Sequence, residues 1–145
     1  MDIFQKIIKA IPYGPDFCFV DSISKVDENQ IIGKYTYKKD LFFIDSHFSG
    51  NPLVPGVIMI ETMGQIGMVC HLVYLTNDYN FNFMPVLSNV EAEFYNNASY
   101  DEELTITGNK RYFRHNILKS DVEMHKSDGS IVARLTANIK IIEKP

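Results

Sequence analysis

The chain is expected to fold as an α+β domain in which an antiparallel sheet of five to six strands curls around one long central helix. Three observations predict this. Val57 to Leu75 is almost continuously apolar, broken mainly by Glu61, Thr62, Gln65 and His71, which describes a helix buried on nearly all sides. Downstream of it the apolar residues recur with a period of two, as in strands with one face on a core and one on water. The length, 145 residues with 46% hydrophobic content, suits a single domain over residues 1–145 with a substantial core.

At the N-terminus, Asp2 precedes Ile3, Phe4, Ile7 and Ile8 at helical spacing, which predicts an amphipathic helix. A signal peptide would need a basic start and a longer apolar run. Phe17 to Val20 and Ile23 to Val26 read as an extended segment, Asp27-Glu28-Asn29 as a polar turn, and Ile31 to Tyr37 as a returning strand. Lys38-Lys39-Asp40 closes that strand, and Leu41 to Ser46 leads to His47. Pro55 and Gly56 fit the start of the central helix, where Pro has no amide to waste and Gly permits close approach to unpaired N–H groups. The helix should end near Thr76-Asn77-Asp78. Val90, Ala92 and Phe94 then alternate with Asn89, Glu91 and Glu93, and Leu104 and Ile106 with Thr105 and Thr107. Ile117 to Met124 is followed by Ser127-Asp128-Gly129, a hairpin signal. In the last strand Ile131, Ala133, Leu135, Ala137, Ile139 and Ile141 form the inward set, against Val132, Arg134, Thr136, Asn138 and Lys140.

A net charge of -4 argues against nucleic acid as the main partner, because phosphate binding needs a positive field. Two cysteines, Cys18 and Cys70, both among apolar residues, suggest reduced structural thiols and a cytoplasmic location. The central apolar run is long enough to span a bilayer, but Glu61, Gln65 and His71 in its interior and strands on both sides favour a helix buried in protein. His71, His115 and His125 lack the clustered spacing of a metal site, so no metal is expected.

One short unit, His47 to Gln65, concentrates the ionisable groups: a histidine, a glycine-rich turn, a helix start and a carboxylate. It reads HFSGNPLVPGVIMIETMGQ. This closely resembles the motif of the hotdog-fold beta-hydroxyacyl-acyl-carrier-protein dehydratases, roughly HFPGxPxxPGVxxIEAMAQ. Upstream, Ile11-Pro12-Tyr13 and Phe17-Cys18-Phe19-Val20-Asp21 resemble the family's LPH and FLLVD segments at the same separation, and a weaker likeness runs through Val86 to Phe94 and Tyr100 to Leu104. There are three departures. Ser49 replaces the usual Pro, Tyr13-Gly14-Pro15-Asp16 replaces an HRYP-like segment, and Asp45-Ser46 stands where a residue-Gly pair is usual. The upstream change bears on the acyl tunnel or the substrate.

The resemblance implies a hotdog fold, sheets joined edge to edge in a homodimer or a higher assembly of dimers, and dehydration of (3R)-hydroxyacyl-acyl carrier protein to the trans-2-enoyl form in fatty acid or related polyketide or polyene biosynthesis. The substrate rides on the carrier's phosphopantetheine, and no cofactor is expected. Such a reaction requires a base for the proton beside the carbonyl, an acid for the departing hydroxyl, and a donor for the enolate-like oxygen. His47 suits the base, since neutral imidazole is available near neutral pH. Glu61 suits the acid, because desolvation in an apolar helix disfavours the charged form of a carboxyl. Gly56 N–H, at the helix start, is the natural carbonyl donor.

Taken singly, His47 reads as a packed or surface histidine and Glu61 as a solvent-facing acid. Taken together with Pro55-Gly56, fourteen residues apart (61 − 47), they favour the functional reading. Gln65, one turn beyond Glu61, either hydrogen-bonds its carboxyl or is a buried amide satisfied elsewhere. Phe48 and Val57 are placed near the substrate. Met59, Met63 and Met68 are tunnel or core residues, with core favoured for most. Lys110, Arg111 and Arg114 form a compact basic patch, either a docking site for an acidic carrier protein or a charge-protected strand edge. The alternatives to a dehydratase are a hotdog thioesterase, which uses a carboxylate to activate water, and a non-catalytic acyl-binding subunit.

Overall fold

The computed structural model describes residues 1–44, 46 and 53–145. Helix α1 (Ile3–Ala10) opens the chain and is capped by Asp2, whose Oδ1 accepts from Gln5 N–H at 2.8 Å. Strands β1 (Ser22–Val26) and β2 (Gln30–Thr36) form a hairpin, and α2 (Gly56–Thr76) follows. Strands β3 (Phe83–Phe94), β4 (Glu103–Arg114), β5 (Ile117–His125) and β6 (Ile131–Glu143) complete it. All pairings are antiparallel, in the order β1-β2-β4-β5-β6-β3, so the strand that leaves α2 crosses to the far edge.

The expected α+β architecture is therefore present. The sheet bends around α2 with the help of four bulges, at Ile23/Lys25, Leu87/Asn89, Lys110/Tyr112 and Met124/His125. Its concave face supplies Ile31, Leu104, Ile106, Leu118, Val122, Leu135 and Ala137 to the core, and α2 supplies Met59, Met63, Ile66, Leu72 and Val73. Two-thirds of the apolar window of α2 is buried in protein (67%), so its length serves a core and not a bilayer. The closest approach comes at Gly67, where an added Cβ would lie 2.7 Å from Val122 Cγ1, and its backbone also faces Gly108. Only glycine at both positions lets helix and sheet meet backbone to backbone.

Turns follow the local chemistry. Asp27 Oδ1 accepts from the N–H groups of Asn29 and Gln30, both at 2.8 Å, to close β1–β2. His115 and Asn116, with φ of 52° and 61°, make the two-residue β4–β5 turn, and Gly129, with φ of 89°, serves β5–β6. Helix α2 ends at Asn77 in the left-handed region.

Several expectations are corrected. Phe17 lies in a 3-10 turn (Pro15–Phe17), not in an extended segment, because Pro15 presets the helical φ at its start. Strand β3 begins at Phe83, well before the alternating stretch, and it is an edge strand on which Phe94 is 47% exposed. Val132 breaks the outward set by being fully buried; the chain beyond β3 folds over it, and Tyr95 and Asn96 N–H both donate to its carbonyl. Cys18 and Cys70 are free thiols, and burial pushes the Cys70 thiol up.

His71, expected to bind no metal, is instead a core residue of α2 with a hydrogen bond of 2.8 Å between Nε2 and Asp27 C=O. A carbonyl only accepts, so Nε2 carries the proton of a neutral ring, and Nδ1 is buried with no partner among the described residues. Burial chiefly, with Lys110 adding to it, lowers its pKa against the opposing pull of the Asp27 carbonyl. The unfolded histidine takes up a proton near pH 6.5 and the folded one does so only at lower pH. The stability it contributes is complete above the unfolded value and lost as pH falls through the folded one. The melting temperature should therefore fall from about pH 7 to about pH 5, and His71→Gln, which keeps a donor without titrating, should show a flatter dependence.

Candidate active site

The first turn of α2 is set by Pro55, whose carbonyl accepts from Ile58 and Met59 N–H. Gly56 opens the helix, and the ring of Phe94 packs on it; an added Cβ would sit 3.2 Å from Phe94 Cζ. The first amides of a helix have no partner within it, which is where a polarised oxygen is best received. Val57 is 73% exposed beside them.

Glu61 stands one turn further on, half-buried, and its position is settled by Gln65. Gln65 is fully buried. Its Oε1 accepts from Phe19 N–H at 2.8 Å, while its Nε2 donates to Phe17 C=O at 3.0 Å and to Glu61 Oε2 at 2.9 Å. Backbone N–H can only donate and backbone C=O only accept, so the amide has one permitted orientation. Of the two expected roles for Gln65, both hold at once: it binds the carboxyl and it is satisfied by distant backbone. Because Glu61 Oε2 accepts from Gln65, a proton on this carboxyl belongs on Oε1.

This clamp coincides with a π turn, Gln65–Val69, in which Cys70 N–H bonds to Gln65 C=O five residues back. Nothing in the residue pattern announced it. It falls at the Gly67 contact with the sheet.

A cavity of about 580 Å³ runs along this face of α2. Helix residues Val57, Glu61, Gly64 and Met68, at helical spacing, form one wall. Pro85, Leu87 and Val90 of β3 and Leu135, Ala137 and Ile139 of β6 form the opposite wall, and Tyr13 and Phe17 close one side. Among the methionines, Met68 lines the cavity, while Met59 and Met63 are core. Tyr13 and Phe17 were missed as site residues. The available signal was the departure of Tyr13 to Asp16 from the family pattern, and of these residues the structure places Tyr13 on the cavity wall.

His47 and Phe48 lie outside the described residues. Glu61, Gln65, Gly56 and Val57 are brought together at the start of α2. Lys110, Arg111 and Arg114 lie apart from them on β4. Arg111 holds Asp121 through two bonds of 2.6 and 2.8 Å, Lys110 is 3.9 Å from Glu28, and the Arg114 guanidinium lies over the Tyr112 ring. Two of the three charges thus have acidic partners in the chain.

A family model described as a FabA-like domain matches residues 11–134. The chain is 30% identical over 132 residues to the 3-hydroxyacyl-acyl-carrier-protein dehydratase FabZ of Ehrlichia chaffeensis, covering 89% of this chain and 87% of that one. Among solved structures it resembles the dehydratase heterocomplex ApeI:P from Xenorhabdus doucetiae, with a TM-score of 0.78, 13% identity, and coverage of 95% of this chain and 91% of that one. It also resembles a hypothetical thioesterase from Streptococcus pneumoniae bound to coenzyme A, with a TM-score of 0.62, 14% identity, and coverage of 84% and 85%. At these identities the structural likenesses establish the hotdog fold alone.

Replacing Gln65 tests the clamp directly. Gln65→Leu leaves Phe17 C=O and Phe19 N–H unsatisfied beneath the helix, and calorimetric unfolding should show a loss of about 1–3 kcal/mol. A melting temperature equal to that of the unaltered protein would show that the amide holds nothing in place.

Proposed function

Since the chain belongs to the FabA-like dehydratase family, we propose that it removes water from a 3-hydroxyacyl thioester carried on acyl carrier protein, giving the trans-2-enoyl thioester. The observation that carries this reading is Glu61, held by Gln65 through Oε2, on the wall of an apolar cavity at the start of α2. An acid needs one oxygen fixed and the other free to deliver its proton, and this arrangement provides that. In the proposed reaction His47 removes the proton from C2, the C2–H electron pair forms the new C2–C3 double bond, and the C3–O pair leaves with the hydroxyl. Glu61 protonates the departing oxygen, which leaves as water, and Gly56 N–H receives the charge on the thioester oxygen. Val57 and Phe48 border the reacting end of the acyl group, whose tail takes the apolar cavity. The reaction calls on no cofactor beyond the carrier's own phosphopantetheine, and a cytoplasmic setting suits it.

The same reading includes a homodimer joined at β3. That strand is twelve residues long at the sheet edge, and Met84, Val86 and Leu87 on it are exposed, a combination that invites strand pairing. A twofold partner there would stand beside the cavity, so we propose that His47 of one subunit works with Glu61 of the other.

The purified protein should interconvert 3-hydroxyacyl and trans-2-enoyl groups on carrier protein, read by mass spectrometry. His47→Ala and Glu61→Gln should each lose on the order of a hundredfold or more. Water loss indifferent to both would sink the assignment, and free carrier thiol as the main product would make the protein a thioesterase. Refolding the two variants together yields mixed dimers as half the population, each with one intact shared site, so roughly a quarter of wild-type activity should return. Sites built within single chains would recover none.

Docking of the acidic carrier on Lys110, Arg111 and Arg114 is also part of the proposal. Reversing these charges should slow carrier-bound substrate far more than a pantetheine mimic, with the difference shrinking in salt. An equal effect on both substrates would place the carrier elsewhere.

A further inference from the structure

The proposed chemistry leaves Tyr13 unused. Among the described residues, every side chain on the cavity wall apart from Tyr13 and Glu61 is apolar or absent. The Tyr13 hydroxyl makes no hydrogen bond to any described residue, and burial first, then the Glu61 charge, raises its pKa well above that of a free phenol. It therefore keeps its proton and acts near neutral pH as a hydrogen-bond donor. A donor that opens on a largely apolar cavity and is held by no side chain there is available to a ligand that brings an acceptor to it. The wall that carries it is also rigidly related to Glu61. Tyr13 precedes the Pro15–Phe17 turn, and the Gln65 amide that holds Glu61 also binds Phe17 C=O and Phe19 N–H. One side chain thus ties Glu61 to the segment that follows Tyr13.

We propose that Tyr13 is a substrate-binding residue whose hydroxyl donates a hydrogen bond to the 3-oxygen of the bound hydroxyacyl group and holds that oxygen toward Glu61. This rests on the dehydratase reading. The 3-hydroxyl oxygen has two lone pairs, one for the Tyr13 donor and one for the proton arriving from Glu61 Oε1. As the C3–O bond breaks and its electron pair moves to oxygen, the Tyr13 bond strengthens; Tyr13 itself gains and loses nothing. The saturated acyl chain, which lacks that oxygen, gains only apolar contact from the same ring.

Tyr13→Phe keeps the ring and removes the donor. Three quantities are compared with the unaltered protein: kcat/KM for a 3-hydroxyacyl pantetheine thioester, the inhibition constant of the saturated acyl pantetheine thioester of equal length, and the melting temperature. The expected result is about a tenfold loss in kcat/KM, the size of one hydrogen bond, with the other two unchanged. An unchanged kcat/KM overturns the inference, as does a parallel loss of affinity for the saturated thioester, which would make Tyr13 a packing residue. If the unaltered protein forms no enoyl thioester at all, the dehydratase reading itself fails and this inference with it. Dehydration by the unaltered protein and the Phe variant alike overturns this inference alone.

Discussion

Burying a carboxamide inside an apolar helix obliges every one of its polar atoms to find a partner, and Gln65 meets that demand by binding a distant stretch of backbone and a side chain one turn back on its own helix. Its oxygen and one N–H take the backbone at Phe19 and Phe17, and its second N–H takes Glu61. The segment between α1 and β1 is thereby drawn onto α2, where it becomes a wall of the cavity. The carboxyl is aimed by the same three bonds. One side chain thus satisfies its own burial and positions a carboxyl on the cavity wall, and a change at Gln65 is felt in both.

The surrounding sheet makes that burial possible. Gly67 and Gly108 let helix and sheet meet backbone to backbone, and four bulges turn a flat ladder into a curved cover. This scaffold does not by itself choose a reaction. The chain resembles both a dehydratase complex and a thioesterase in fold, so the fold does not choose between them. At the start of α2, Val57 and the clamped Glu61 line one cavity, directly after the helix-opening Gly56.

The cavity and the exposed sheet edge are parts of one surface. Pro85, Leu87 and Val90 line the cavity from β3, while Leu87 and its neighbours Met84 and Val86 stand exposed at the edge. Under the proposed dimer, pairing at β3 would bury these apolar residues and bound the cavity in the same event, linking assembly to the shape of the acyl site.

The sequence by itself determined the elements whose cause is local. Asp2 and the spacing of Ile3, Phe4, Ile7 and Ile8 make α1, the apolar run from Val57 makes α2, and the inward set of β6 follows from alternation at Leu135, Ala137 and Ile139. The motif around Glu61 likewise marked the start of α2, where the structure places Glu61 on the cavity wall. Only the tertiary structure decided the rest. The π turn at Gln65, the exposure of Phe94, the burial of Val132 and the arrival of Tyr13 and Phe17 at the cavity all arise from contacts between segments distant in the chain. Backbone dihedrals impose a period on neighbouring residues and so leave a trace in the sequence, whereas a contact between segments distant in the chain obeys no period and is settled only when the sheet closes on the helix.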